Sequence, residues 1–130
     1  MIEVCKSNER KLMYAEELCF APKYERVRGL VKCGAVGDIY MLKQAEKHSG
    51  PHSRWFYEED LAGGGVLMDM GCHALAWFRW ILGGNPKVIS VYASMSTVMH
   101  DTKCEDNTVL LVEFENNVLA IAEDSWAKHG

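Results

Sequence analysis

The chain has 130 residues, of which 48% are hydrophobic and 25% charged, a balance of ordinary globular domains that excludes disorder, collagen-like repeats and a disulfide scaffold. At this length one compact domain with its own core is expected. A formal charge of −4 with scattered basic side chains argues against nucleic acid and membrane as partners, since both are drawn by a clustered positive surface.

Residues 1–9 place Met1, Val4 and Cys5 at helical spacing and then turn polar, like the last turns of a helix that begins further upstream. Lys11 to Ala15 reads as a short strand. Pro22 suits the first turn of a helix over residues 23–33 and Gly34 its C-terminal cap, with Tyr24, Val27, Leu30 and Val31 as the apolar stripe. The segment 37–47 reads as a long, half-exposed strand broken by Ser49-Gly50-Pro51. A polar and aromatic loop leads to the longest helical signal, residues 65–82, with Leu67, Met70, Ala74, Phe78 and Ile81 toward the core and Gly83-Gly84-Asn85-Pro86 as its stop. Residues 87–98, 108–115 and 118–126 are strand-like, the last two joined at Asn116-Asn117 in a hairpin whose Leu110, Val112 and Phe114 share an apolar face. This order predicts an α+β domain, a mostly antiparallel open sheet with helices packed on one face.

Five cysteines, odd in number and never spaced as C-x-x-C, fit free thiols in a reducing compartment, so a cytoplasmic location is expected. Neither an export signal nor a membrane-spanning run is visible.

The most chemistry lies in Gly63-Gly64-Gly65-Val66-Leu67-Met68-Asp69-Met70-Gly71-Cys72-His73. Asp69 and His73 stand four apart on the predicted helix, which would bring their Cβ atoms to about 5–6 Å on one face. A carboxylate bonded to one ring nitrogen fixes the tautomer and raises the basicity of the other, as a proton acceptor working near pH 7 requires. Spacing alone favours a surface or capping pair. The three glycines permit a close backbone approach but do not form a dinucleotide fingerprint, which would need glycine where Met68 stands.

The run GGGVLMDMGCHALAWFRWILGG resembles the signature of the family named after glucose–fructose oxidoreductase, inositol dehydrogenase and rhizopine catabolism proteins. There a Gly-rich turn opens a helix bearing D-x-G-x-H. The upstream stretch from Lys11 to Phe56 and the downstream hairpin are similar to the same family, so the likeness spans essentially the whole chain. It implies that residues 1–130 are a single C-terminal, substrate-binding and oligomerisation domain without its Rossmann domain. It further implies hydride transfer between NAD or NADP and a hydroxyl carbon of a sugar, polyol or related small molecule. His73 would accept or donate the proton, and Asp69 would orient it and bind a substrate hydroxyl. His48, His52 and Trp55, on the loop that faces substrate in the family, are candidate substrate-binding residues. The cofactor would be held mainly by the Rossmann domain, and a homodimer would form through the sheet face.

The chain also departs from the pattern. The Glu-Lys-Pro motif and the phosphate-binding glycine loop are absent, Ala76 stands where aspartate is frequent, and Cys19 where arginine is common. These departures keep open a second class of function, a non-catalytic sensor or interaction module that retains the fold. No resident metal is expected: a zinc site built from His48, His52, His73 and Asp69 is chemically possible, yet no H-E-x-x-H or comparable spacing supports it. Glu16 and Glu17 read as exposed carboxylates, and Arg26, Arg28 and Lys32 as a solvated helix face.

Overall fold

A computed structural model describes residues 1–128. Its frame is a four-stranded sheet formed by β1 (Met41–Lys47), β2 (Val88–Ser96), β3 (Asn107–Phe114) and β4 (Leu119–Ser125), in the spatial order β1-β4-β3-β2. β2 pairs antiparallel with β3, and β3 with β4. β1 lies parallel to β4, from Met41 opposite Leu119 to Lys47 opposite Ser125. The expected mostly antiparallel open sheet is thus present, as a mixed sheet.

Period-two alternation decides which side of this sheet is covered. Leu42 on β1, Ala120 and Ala122 on β4, and Leu110, Val112 and Phe114 on β3 are buried beneath the helices. They meet Tyr24 of α2 (Pro22–Lys32) and Ala74, Trp77, Phe78 and Ile81 of α4 (Cys72–Leu82) in one core. The other side carries Met41, Tyr92 and Val109 in the open, with Leu111, Leu119 and Ile121 half-buried among them. Residues 114–118 close the β3–β4 hairpin, and Asn117 takes the left-handed conformation expected of an asparagine turn, with a φ of 61°. On α2 the expected solvated face is broken by Arg28, whose guanidinium lies 4.2 Å from the ring centre of Trp80.

Three sequence expectations need correction. α1 (Ile2–Ser7) is helical as read, but residues 11–15 form no strand: Leu12, Met13 and Tyr14 are exposed, and the segment leads to Glu16 beside the start of α4 instead of to a sheet edge. β1 starts at Met41, not at Gly37, whose left-handed φ of 67° turns the chain before the strand begins. The helix over 65–82 is not uniform. A π-helical turn, Leu67–Gly71, precedes α4, and a separate short helix, α3 (Glu59–Ala62), ends at Gly63. An i→i+5 turn adds a residue to the helical circuit, so it rotates what precedes it relative to α4.

Candidate active site

The Gly-rich turn is consumed by packing. The backbone N–H of Val66 donates to the Glu105 carbonyl at 2.9 Å, and those of Gly65 and Leu67 donate to the Glu105 carboxylate at 3.2 and 3.0 Å. A Cβ at Gly65 would collide with the Glu105 carbonyl oxygen. Glycine is therefore required here so that two backbones can touch, and the carboxylate satisfies N–H groups that the helix start leaves free.

The helix so anchored presents His73. Its Nδ1 lies 2.8 Å from Glu16 Oε1 and 3.0 Å from Oε2, with Glu17 Oε1 3.5 Å from Nε2. Glu16 is itself held by the Tyr14 hydroxyl at 3.0 Å and the Leu18 N–H at 3.2 Å. Its side chain is 11% exposed against 71% for Glu17, so the reading of both as exposed carboxylates fails for Glu16. Partial burial lowers the basicity of His73. The hydrogen bond to Glu16 and the charges of Glu16, Glu17 and Glu46 outweigh it, leaving the imidazole pKa above its ordinary value. The ring stays one-fifth exposed (20%), which leaves it open to approach.

Asp69 does not orient His73. Its Oδ2 accepts the indole N–H of Trp126 at 3.0 Å, because the π-turn rotates it off the flank that carries the imidazole. Trp126 belongs to a second buried cluster with Val66 and Met70, against which Phe56 and Tyr57 pack. The loop over residues 48–57 is fastened to the same region by the N–H groups of His48 and Gly50, which donate to the carbonyls of Ser125 and Trp126 at 3.0 and 2.7 Å. His48 and His52 stack with ring centres 5.3 Å apart, His48 Nδ1 lies 2.7 Å from the Gly50 carbonyl, and Trp55 stacks on Phe56 while remaining 46% exposed. The structure thus brings His48, His52, Trp55 and Asp69 to the Trp126 cluster, and His73 to Glu16.

Asp124 is a site feature that pattern reading missed. It sits at the end of β4, almost wholly buried, and neither carboxylate oxygen has a hydrogen-bond partner. A Cβ at Gly71 would crowd the Leu67 side chain and stand in ordinary contact, 3.4 Å, with Asp124 Oδ2, so the π-turn passes beside the acid. Burial, reinforced by Glu46, pushes its pKa up to about 7 against the opposing pull of His73 and Lys47. Its place at an inward position of a strand was the available sequence signal. The Glu16 signal was weaker, an acidic pair at the end of an extended segment.

As to metal, Glu16, Cys72 and His73 each offer a donor atom, all within 4.8 Å of one another. Among the described residues the three histidines with Asp69 do not gather in this way. All five cysteines are free thiols. Among the same residues no helix is long and apolar enough to cross a membrane.

The GFO/IDH/MocA C-terminal domain description matches residues 24–130. The chain belongs to that family. Among solved structures, GenD2 from gentamicin A biosynthesis, crystallised with NAD, is 30% identical with a TM-score of 0.88, and the match covers 98% of this chain and 37% of that one. The aldose-aldose oxidoreductase from Caulobacter crescentus, complexed with glycerol, is 28% identical with a TM-score of 0.82, over 97% of this chain and 38% of that one. The NADP(+)-dependent D-xylose 1-dehydrogenase of Haloarcula marismortui is 25% identical over 99% of this chain. The chain spans 28% to 37% of the length of the curated relatives it matches first, so it corresponds to about a third of such proteins. This GFO/IDH/MocA domain therefore comes from a family of oxidoreductases whose structural relatives include NAD complexes.

Proposed function

We propose that this domain is the substrate-binding and catalytic half of an NAD(P)-dependent oxidoreductase acting on a CH–OH carbon of a sugar, polyol or related metabolite, with His73 as the proton acceptor. The observation that carries the reading is the Glu16–His73 contact. A carboxylate on Nδ1 favours the tautomer with the proton there and makes Nε2 the accepting atom, whose basicity the exposed Glu17 carboxylate 3.5 Å away increases, the arrangement of a general base. A hydroxyl carbon releases hydride more readily as its proton departs, so Nε2 takes the hydroxyl proton in oxidation and returns it in reduction. Asp69, held by Trp126, is assigned to a substrate hydroxyl, with His48, His52 and Trp55 as further binding groups on the neighbouring loop.

The described residues do not fit the dinucleotide phosphates. The helix-start N–H groups that could cradle them are bonded to Glu105. NAD or NADP, the hydride acceptor, is assigned to a Rossmann domain elsewhere in the protein, of which residues 1–130 are the single C-terminal companion. The outer sheet face, where Met41, Val109, Leu111, Ile121 and Tyr92 lie beside the Lys43–Glu123–Lys47 ion pairs, is assigned to a homodimer contact, and the free thiols support a cytoplasmic location.

The test uses the intact protein. NADH and NADPH are titrated in, and absorbance is followed with a panel of sugars and polyols. His73→Ala is expected to lower turnover by about 10²–10⁴ with cofactor affinity retained; turnover at the parent rate would remove His73 from the mechanism. Failure to bind either cofactor or to turn over any of the panel would favour the non-catalytic sensor class suggested by Ala76 and Cys19.

A further inference from the structure

We infer that Glu16, Cys72 and His73 form a binding site for a zinc-class divalent metal ion, and that occupancy of this site switches His73 off. The second half rests on the oxidoreductase reading above; the first does not.

The donor set is the starting point. A thiolate, an imidazole and a carboxylate are the ligands that borderline-soft ions such as Zn²⁺ and Co²⁺ take together, whereas Mg²⁺ and Ca²⁺ prefer oxygen alone. The three donor atoms lie within 4.8 Å of one another. Metal bonds of about 2.0–2.3 Å in tetrahedral array need ligand separations of roughly 3.3–3.8 Å. Closure by about 1 Å is within the reach of side-chain rotation. Two of the three are already positioned: His73 stands on α4, and Glu16 is pinned by the Tyr14 hydroxyl and the Leu18 N–H. The third is weakly committed, since the Cys72 thiol donates only to the Asp69 carbonyl, at 3.4 Å. A fourth position falls to water or to the exposed carboxylate of Glu17, which already reaches within 3.5 Å of the ring.

The local field points the same way. The carboxylates of Glu16 and Glu17 lie 2.8 and 3.5 Å from the two ring nitrogens of His73, a negative field that favours a cation. A dication at this place reverses the sign of that field. Binding then displaces the thiol proton and, where His73 is imidazolium, one ring proton, so affinity falls as pH falls.

Whichever ring nitrogen the metal takes, the base is lost. At Nδ1 the metal takes the place of the proton shared with Glu16, and that proton moves to Nε2, the tautomer of a neutral imidazole bound to metal through Nδ1. At Nε2 it occupies the lone pair itself. Either way the domain would report divalent metal as lost proton transfer.

The experiment is a Co²⁺ titration of the chelator-treated intact protein. One equivalent is expected to give a thiolate-to-cobalt charge-transfer band in the near ultraviolet. Cys72→Ser, with its fold checked by circular dichroism, should abolish the band, Glu16→Gln should weaken binding by more than about tenfold, and Cys33→Ser, at an exposed thiol, should leave it intact. No band, or a band that survives Cys72→Ser, overturns the site. The switch is read as the ratio of oxidation rates with and without Zn²⁺: well below one in the parent, near one in Cys72→Ser. A protein that binds cobalt through Cys72 but oxidises no polyol keeps the metal site and loses the oxidoreductase reading. One that oxidises polyols and takes no cobalt does the reverse.

Discussion

The layer between helices and sheet has two ends made to different rules. Toward the β3–β4 hairpin the inward positions are Val112, Phe114, Val118 and Ala120, facing Ile81 and Phe78, and every buried group there is apolar. Toward the other end the same inward faces carry Thr108 on β3, Asp124 on β4 and Gln44 on β1, all buried. The Thr108 hydroxyl, the Gln44 carbonyl and both Asp124 oxygens lack partners. His73 and Glu16 lie at this second end. Burying unpaired polar atoms costs stability, so the polar end is held by the apolar one and by the Glu105 and Trp126 contacts around it. Apolar packing and unpaired polar groups are thus separated along a single sheet, so the costs of the one can be offset by the other without losing the fold.

Substitutions at the two ends should therefore differ in sign. Phe114→Ala removes a ring that is 1% exposed and leaves a cavity, for an expected loss of about 3–5 kcal/mol by urea denaturation. A loss under about 1 kcal/mol would mean that the hairpin end is not the anchor. Asp124→Asn should instead stabilise, and the gain should depend on pH. The folded-state pKa of Asp124 is raised from 3.8 to about 7, so the protonated acid is favoured in the fold and ionisation costs stability as pH rises through that window. The melting temperature of the variant should match that of the parent near pH 4 and exceed it increasingly up to pH 7–8, by an equivalent of about 1–3 kcal/mol. A gap that does not change with pH would show that Asp124 is not the neutral group.

The smallest expected effect on stability, and the sharpest on chemistry, belongs to Glu16→Gln. His73 is raised in pKa chiefly by this carboxylate working against burial, so its stabilising contribution is complete at low pH and is lost as pH rises through the folded-state value. The variant should lose that contribution and move the imidazole titration, followed by NMR, to lower pH. Glu17→Gln, at an exposed neighbour, should move it far less. Equal shifts from the two would remove the distinction between a held and a solvated carboxylate.

Much of this was legible in the residues. The buried face of β3, the Asn117 turn and Ala74, Phe78 and Ile81 on α4 follow from periodicities of 2 and 3.6 and from residues that tolerate left-handed backbone, whereas of the α2 stripe Tyr24 is buried and Val31 packs on the core but Val27 is exposed. The stretch 11–15 was misread because a strand-like pattern becomes a strand only if a sheet edge is near it, and here the segment pairs with none. The π-turn at Leu67–Gly71 was invisible because its residues are ordinary helix formers. It is flanked by contacts with Glu105 and Trp126 that lie far away in sequence.

By itself the sequence determined the type of α2, α4 and the four strands, the apolar face of β3 and the family to which the domain belongs, since these depend on residues adjacent or a few positions apart. Only the tertiary structure decided the partners of the two site residues. Glu16 reaches His73 and Trp126 reaches Asp69, each across 57 residues of chain. A hydrogen bond of that span has no periodicity to betray it; it exists because the sheet and the π-turn bring remote segments to one place.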